Sequence, residues 1–390
     1  MQRAFASAMG FPGPTIEYLD CLASDFEPAR SLAVFHRGQV VSTAYSYLLE
    51  LTVPGAHQID AACVTAVCVL ATHRRRRLLS QMMRQQLGDA RDRGETLAVL
   101  IASESIIYGR FGYGPSSYLV DLEMDTRDGA YRPDVNLVGD VSFVDRLSWS
   151  EVAPSVYDRW RRQYPGAIPR TSSWWRSAAA PPQSETDSFL VHEDPSGAVD
   201  GFARYSHHSQ WSGGMPAGIV EIRDFVAETR DAASSLWRHV LDIDLVRTVR
   251  APARSVDEPL RWWLANPRAL RTTRLADFFW TRILDVPAAL SERRYATDLD
   301  LVLAVEDPLF DSNSRRFALR AHDDDVSCEP TTSKPDLSMS IADLGSIYLG
   351  GVTPSDLARA GRITEVRDGA LVQADAAFAS SPKPWSATTF

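Results

Sequence analysis

The stretch that decides the fold is Thr65–Met82, TAVCVLATHRRRRLLSQM. Ala66 to Leu70 is a short apolar run with two valines, the pattern of a buried strand. Thr72 and His73 break the run. Arg74, Arg75, Arg76 and Arg77 follow, and Leu78, Leu79, Met82, Met83 and Leu87 then recur with the spacing of an amphipathic helix over about 78–93. The reading is strand, turn, helix, with arginines packed into the turn. A helix start presents unpaired N–H groups and a partial positive charge, so it is a natural seat for phosphate. Arginines at that end oppose the dipole and are a poor choice unless an anion sits among them.

A second stretch, Ser103–Pro115, SESIIYGRFGYGP, lies close behind. The first stretch resembles the acetyl-CoA-binding motif of the GNAT N-acetyltransferases. The two together, at this spacing, resemble more narrowly the Eis (enhanced intracellular survival) acetyltransferases. The resemblance implies that Val67, Cys68 and Val69 carry the pantetheine arm of acetyl-CoA. It implies that Arg74, Arg75, Arg76, Arg77, Leu78, Leu79 and Ser80 wrap its pyrophosphate, with Ser103 and Glu104 against the cofactor. One departure stands out: Arg77 occupies a position where these enzymes usually have glycine, which lets backbone approach the phosphate. Its guanidinium either replaces that contact or crowds the turn.

The 390 residues, 45% of them hydrophobic, suffice for two or three domains with sizeable cores. A net charge of −9 speaks against a nucleic-acid partner and is compatible with cationic acceptors. Cys21, Cys63, Cys68 and Cys328 show no CxxC spacing, and Cys63 and Cys68 read as buried thiols, which fits a reducing cytoplasm. Met1–Gly10 lacks the apolar core of a signal peptide, and no apolar run approaches the about 20 residues of a membrane span. A cytoplasmic location is the expectation.

Along the chain, residues 1–30 read as helix and loop punctuated by Gly10, Pro12, Gly13 and Pro14. Strands are expected at 31–35, 40–51, 60–70, 97–102 and 118–123, the last two after the helix, which is the order of one GNAT module. A similar grammar restarts near Val141: a strand at 142–146, a helix from Pro154 to Gln163, a loop at Pro181, Pro182 and Gln183, and strands at 188–192, 201–206, 217–226, 247–251 and 280–284 around a helix at 227–241. This second module has no arginine turn and is expected to bind no cofactor. Asp285 is a candidate cap for a helix opening at Val286. Strands at 298–305, 314–321 and 337–340 and helices at 341–349, 354–360 and 371–378 follow. The strings GSIYLGG and DAAFAS resemble the sterol-carrier-like domain that ends the Eis proteins. The expected fold is therefore α/β (α+β): a GNAT module at 1–128, a second at 129–286 and a sterol-carrier-like domain at 287–390.

Amide formation from a thioester needs a neutral amine, a polarised carbonyl and an acid for the leaving thiolate. Tyrosine is neutral at pH 7 and can supply that proton. The residues alone leave Tyr108 and Tyr113 in competition; the resemblance selects Tyr108, the tyrosine of the IYG tripeptide. His73 is better suited to orient the turn than to act as base, and Glu104 could reach an acceptor. In Eis proteins the base is the C-terminal carboxylate of a terminal phenylalanine, which implies Phe390 here. The preceding position, often acidic in the family, is Thr389, which removes an anion from the acceptor site. His207-His208 reads as a surface loop, Asp323-Asp324-Asp325 as an acidic loop, and Trp174-Trp175 and Trp262-Trp263 as core or interface aromatics, and no metal is expected.

The leading reading is an acetyl-CoA-dependent N-acetyltransferase acting on a primary amine, either an aminoglycoside-like antibiotic or a lysine side chain. The resemblance adds a homo-hexamer built as a trimer of dimers. The competing reading is a non-catalytic acyl-CoA- or lipid-binding scaffold whose phosphate turn is spoiled by Arg77.

Overall fold

The computed structural model describes residues 1–13, 15–179, 187–323 and 325–390. Pro14, the Pro181-Pro182-Gln183 loop and Asp324 of the acidic run lie outside the described residues. The chain opens with α1 (Gln2–Met9) and α2 (Ile16–Ala23), then a meander of β1 (Ser31–His36), β2 (Gln39–Val53) and β3 (His57–Val69). The arginine turn leads into α3 (Leu78–Asp92), followed by β4 (Leu97–Ile101), α4 (Ser105–Tyr108), β5 (Gly114–Pro115) and β6 (Tyr118–Asp125).

The second stretch holds β7 (Asp140–Val144), α5 (Arg146–Arg161), α6 (Ser172–Ala179), β8 (Asp187–Glu193) and β9 (Val199–His208). A two-residue hairpin, β10 (Trp211–Ser212) and β11 (Met215–Pro216), precedes β12 (Gly218–Ala227), α7 (Arg230–Leu241), β13 (Val246–Ser255), α8 (Leu260–Trp263), β14 (Arg271–Asp277) and β15 (Phe279–Ile283). The third holds α9 (Val286–Glu292), β16 (Leu299–Glu306), β17 (Arg316–His322), β18 (Asp325–Thr331), β19 (Leu337–Ser340), α10 (Ile341–Tyr348), α11 (Pro354–Arg359), β20 (Ile363–Glu365) and α12 (Ala370–Phe378). The Asp285 carboxylate caps α9 by accepting from the Ala288 N–H at 3.0 Å.

Three mixed sheets result, ordered β1-β2-β3-β4-β15-β5, β14-β6-β13-β12-β9-β8-β7 and β18-β17-β16-β19-β20. The first two exchange strands. Residues 118–123 read with the first module and 280–284 with the second, yet β6 pairs with β13 and β14, and β15 pairs with β4. The crossover lies where Ser116-Ser117 meets Phe279. The Ser116 N–H donates to the Phe279 carbonyl at 2.8 Å, and the Ser117 hydroxyl accepts from the Phe279 N–H at 3.0 Å. Periodicity reports that a segment is a strand, not which sheet it joins.

The helix expected from Pro154 starts earlier, at Arg146, because Asp145 caps it by accepting from the Ser148 N–H at 2.9 Å. Pro154 sits inside it, held by the burial of Trp149, Ala153, Val156 and Tyr157 against one core that runs through all three stretches. His207 and His208 end β9 rather than forming a loop.

The third stretch is tied to the first sheet by a fully buried ion pair. Arg282 on β15 donates to both carboxylate oxygens of Asp307, at 2.7 and 2.8 Å. Removing one partner of such a pair strands a buried charge. Asp307→Ala should therefore destabilise the protein by about 3–5 kcal/mol, read as a large drop in the denaturant midpoint; an unchanged midpoint would contradict this.

Candidate active site

β3 and β4 run parallel and pair only over Ala61–Cys63 against Leu97–Val99. Beyond Cys63 the two strands part and open a wedge. β3 also carries one extra residue: Tyr45 pairs with Thr65 and Thr43 with Cys68, two steps on β2 against three on β3. Ala66 takes up the surplus at φ 51°, the left-handed region. The Thr43 hydroxyl donates to the Ala66 carbonyl at 2.7 Å, and the Ser42 hydroxyl to the Cys68 carbonyl at 2.6 Å. These buried hydroxyls fix the bulge.

Two cavities have neighbouring residues of this bulge in their walls. One, of about 460 Å³, occupies the wedge. It is lined by Val67, Cys68, Val69, Arg74, Arg75, Arg77, Leu78, Leu79, Ser80, Ser103, Glu104 and Tyr108, which the sequence singles out. Ala8 and Met9 of α1, His73, Ile107 and Arg110 complete it. Nothing in the local pattern of α1 points to a cavity; Arg110 was within reach, since it lies inside the YGRFGY string. Arg76 is exposed and outside the lining. It lies between Arg75 and Arg77, both at φ 63°, and these two left-handed residues turn the backbone on either side of it.

The turn is built for an anion. Arg77, in the usual glycine position, holds the left-handed conformation that glycine adopts freely, at the N-cap of α3 with no side-chain cap. Among the described residues Arg74, Arg75, Arg76 and Arg77 have no carboxylate partner, although most other arginines pair. Several unpaired guanidiniums at an uncapped helix start fit a pyrophosphate-bearing cosubstrate.

Tyr108 is buried in the cavity wall, its ring edge-on to Tyr113 at 6.0 Å. Burial raises its phenol above the ordinary value; a hydrogen bond with Ser103 opposes that shift and the Glu104 charge adds to it. Tyr113 lines neither cavity. It is buried beside Arg282, and burial drives its phenol far up. The pair is thereby told apart: one tyrosine faces the wedge and the other is packed behind it. His73 lies at the wedge mouth, with Nδ1 2.8 Å from the Thr72 hydroxyl, and is held below the usual imidazole range by desolvation and by Arg76 and His36.

The second cavity, of about 420 Å³, reaches β3 at Thr65 and Ala66, where the first begins at Val67. Its walls include Phe5, Tyr47, Arg170, Trp174, Thr389 and Phe390. Trp174 is thus a cavity wall and not a core residue alone. The Thr65 hydroxyl donates to a main-chain oxygen of Phe390 at 3.3 Å, and the Phe390 ring lies 5.6 Å from Phe279. The chain's last residue therefore stands at the bulge. Among the described residues no His, Cys, Asp and Glu cluster suits a metal ion, and no helix is long and apolar enough to cross a membrane.

Known proteins bear on this geometry. Residues 1–116 and 166–283 each match an acetyltransferase (GNAT) domain family, and 286–387 a sterol carrier protein domain family. The chain is 37% identical over 396 residues to an uncharacterized N-acetyltransferase of Streptomyces coelicolor, covering 98% of this chain and 94% of that one. It is 34% identical over 351 residues to the N-acetyltransferase Eis of Mycobacterium tuberculosis, covering 88% and 84%. The chain belongs to the Eis family of GNAT N-acetyltransferases. The crystal structure of Eis1 from Mycobacterium abscessus superposes with a TM-score of 0.88 at 33% identity, covering 99% of this chain and 96% of that one. A GCN5-related N-acetyltransferase from Anabaena variabilis, at 19% identity and a TM-score of 0.85, shares the fold.

An Eis-family fold thus consists of two GNAT domains and a sterol carrier domain, and the chain is an N-acetyltransferase rather than an inert scaffold. GNAT acetyltransferases use acetyl-CoA. If the arginine turn seats its phosphates, Arg75→Ala should weaken acetyl-CoA binding by about 1–3 kcal/mol. Arg76→Ala, outside the lining, should weaken it less. Calorimetry checks the order, and a larger loss for Arg76→Ala would reverse this assignment.

Proposed function

We propose that the protein acetylates a primary amine by direct transfer from acetyl-CoA, with Tyr108 as general acid and the main-chain carboxylate of Phe390 as base. The observation that carries this reading is that adjacent residues of the Ala66 bulge line two cavities, Val67 the one walled by Tyr108, and Thr65 and Ala66 the one walled by Phe390. Bound acetyl-CoA supplies the activated acyl group. Val67, Cys68 and Val69 offer strand backbone along the wedge, and Arg74, Arg75 and Arg77, with Ser80, bind the phosphates. Ser103 and Glu104 flank the acid. The Phe390 carboxylate, steadied by Thr65, takes a proton from the amine through water. Tyr108 then protonates the departing thiolate. Its raised phenol keeps this acid form present further into the alkaline range than in an ordinary tyrosine.

Both acceptor classes named above, an aminoglycoside-like amine and a lysine side chain, fall within this proposal. The aromatic walls formed by Phe5, Tyr47 and Trp174, and the absence of Asp and Glu from the described lining, favour a single amine on an apolar body. The trimer-of-dimers assembly is part of the same proposal. It is supported by exposed Trp211 and Met215 on the β10–β11 hairpin and is checked by sedimentation.

Tyr108→Phe should lower kcat by about 10²–10⁴-fold with acetyl-CoA affinity kept, while Tyr113→Phe keeps kcat. The reverse result would overturn the choice of acid. A residue appended after Phe390 should abolish turnover by moving the carboxylate; full activity in that form would reassign the base to Glu104. A panel of monoamines and polyamines followed by thiol release identifies the acceptor class.

A further inference from the structure

The second GNAT domain repeats the geometry of the first. β12 and β13 are parallel and pair only as far as Glu221 and Arg250, then part, as β3 and β4 do after Cys63. β12 also has a surplus residue next to the parting point: Ile222 pairs with Tyr205 and Asp224 with Arg204, leaving Arg223 as the extra. The helix that follows differs. α7 is capped by its own Thr229, which accepts from the Ala232 N–H at 3.1 Å and donates to Asp200 at 2.6 Å. An internally satisfied helix start beside a carboxylate has no use for a phosphate.

The second wedge is filled by the chain's own end. The Trp385 indole N–H donates to the Ala253 carbonyl on β13 at 3.0 Å, and its backbone N–H to the Pro165 carbonyl at 2.8 Å. Arg254 spans the wedge, donating to the Phe225 carbonyl on β12 at 3.0 Å, with its guanidinium 4.9 Å from the Trp385 ring. Arg170, in a bidentate pair with Asp224 of β12 at 2.8 Å, donates also to the Ala387 carbonyl at 3.0 Å. Trp385 is only 4% exposed, and about 240 Å³ remains between wedge and tail. Three residues beyond Ala387 the chain reaches the bulge of the first domain.

The geometry points to a duty for the second domain: its parted strands are a docking groove for residues 385–390, and Trp385, Arg254 and Arg170 are positioning residues that aim Phe390 at the acceptor cavity. This rests on the reading that Phe390 works at the Ala66 bulge, but docking and catalysis separate in the test. A chain ending at Pro384 is mixed with the peptide Trp-Ser-Ala-Thr-Thr-Phe, and peptide binding and acetyl transfer are measured independently. The expected result is a kcat loss of about 100-fold on truncation, acetyl-CoA affinity kept, and saturable rescue by the peptide. The peptide with Trp replaced by Ala should bind roughly 30-fold more weakly, as expected of a buried aromatic anchor. Tryptophan-dependent binding without rescue supports the groove and sinks the role of Phe390. No binding, or equal binding of both peptides, overturns the groove. In the intact protein, carboxypeptidase should trim Trp385→Ala and Arg254→Met far faster than the parent; equal trimming rates also overturn it.

Discussion

The candidate active site depends on two parallel strands ceasing to pair. Up to Cys63, β3 and β4 satisfy each other; past it, β3 offers backbone on its open edge and a floor for a cavity. An open strand edge inside a protein is costly unless something answers its polar groups. Here the extra residue at Ala66 and the buried hydroxyls of Ser42 and Thr43 settle one side of β3. The other side is left open, and in the proposed reading it meets the amides of a pantetheine arm. The arginine turn, Tyr108 and Phe390 take their places around that opening.

Charge distribution reinforces the same opening. The chain carries a net charge of −9, yet its arginine turn has no internal carboxylate partners among the described residues. The proposed seat of an anionic cosubstrate is thus a locally positive spot on a chain of net negative charge. Arg77 holds a left-handed conformation that glycine would take without strain, so this sequence accepts a backbone cost for an additional guanidinium.

Much of this was legible beforehand because local signals dominate it. The strand–arginine–helix order, the YGRFGY string, the Asp285 cap and the central strands carry their own periodicity and punctuation. What was not legible was non-local or marginal in composition. β14, β18 and β20 escaped notice, and each is an edge strand: β14 is rich in arginine and β18 contains Pro330, features that edges tolerate and central strands do not. The start of α5 was obscured by Pro154, whose penalty is outweighed by the burial of Trp149, Val156 and Tyr157. The wall formed by Trp174 was read as a core or interface aromatic because a tryptophan pair looks the same in any of these settings. The exchange of β6 and β15 leaves no local trace.

That exchange governs how the protein is born. β4 completes its pairing only with β15, so the edge of the first sheet stays open until Phe279–Ile283 has left the ribosome. The sheet of the first GNAT domain is thus discontinuous in synthesis. Its closure awaits a contact between segments far apart in the chain, the kind that slows folding and exposes strand edges meanwhile. A nascent chain halted between the two GNAT domains would hold every residue of the phosphate turn and still lack a finished sheet to carry it.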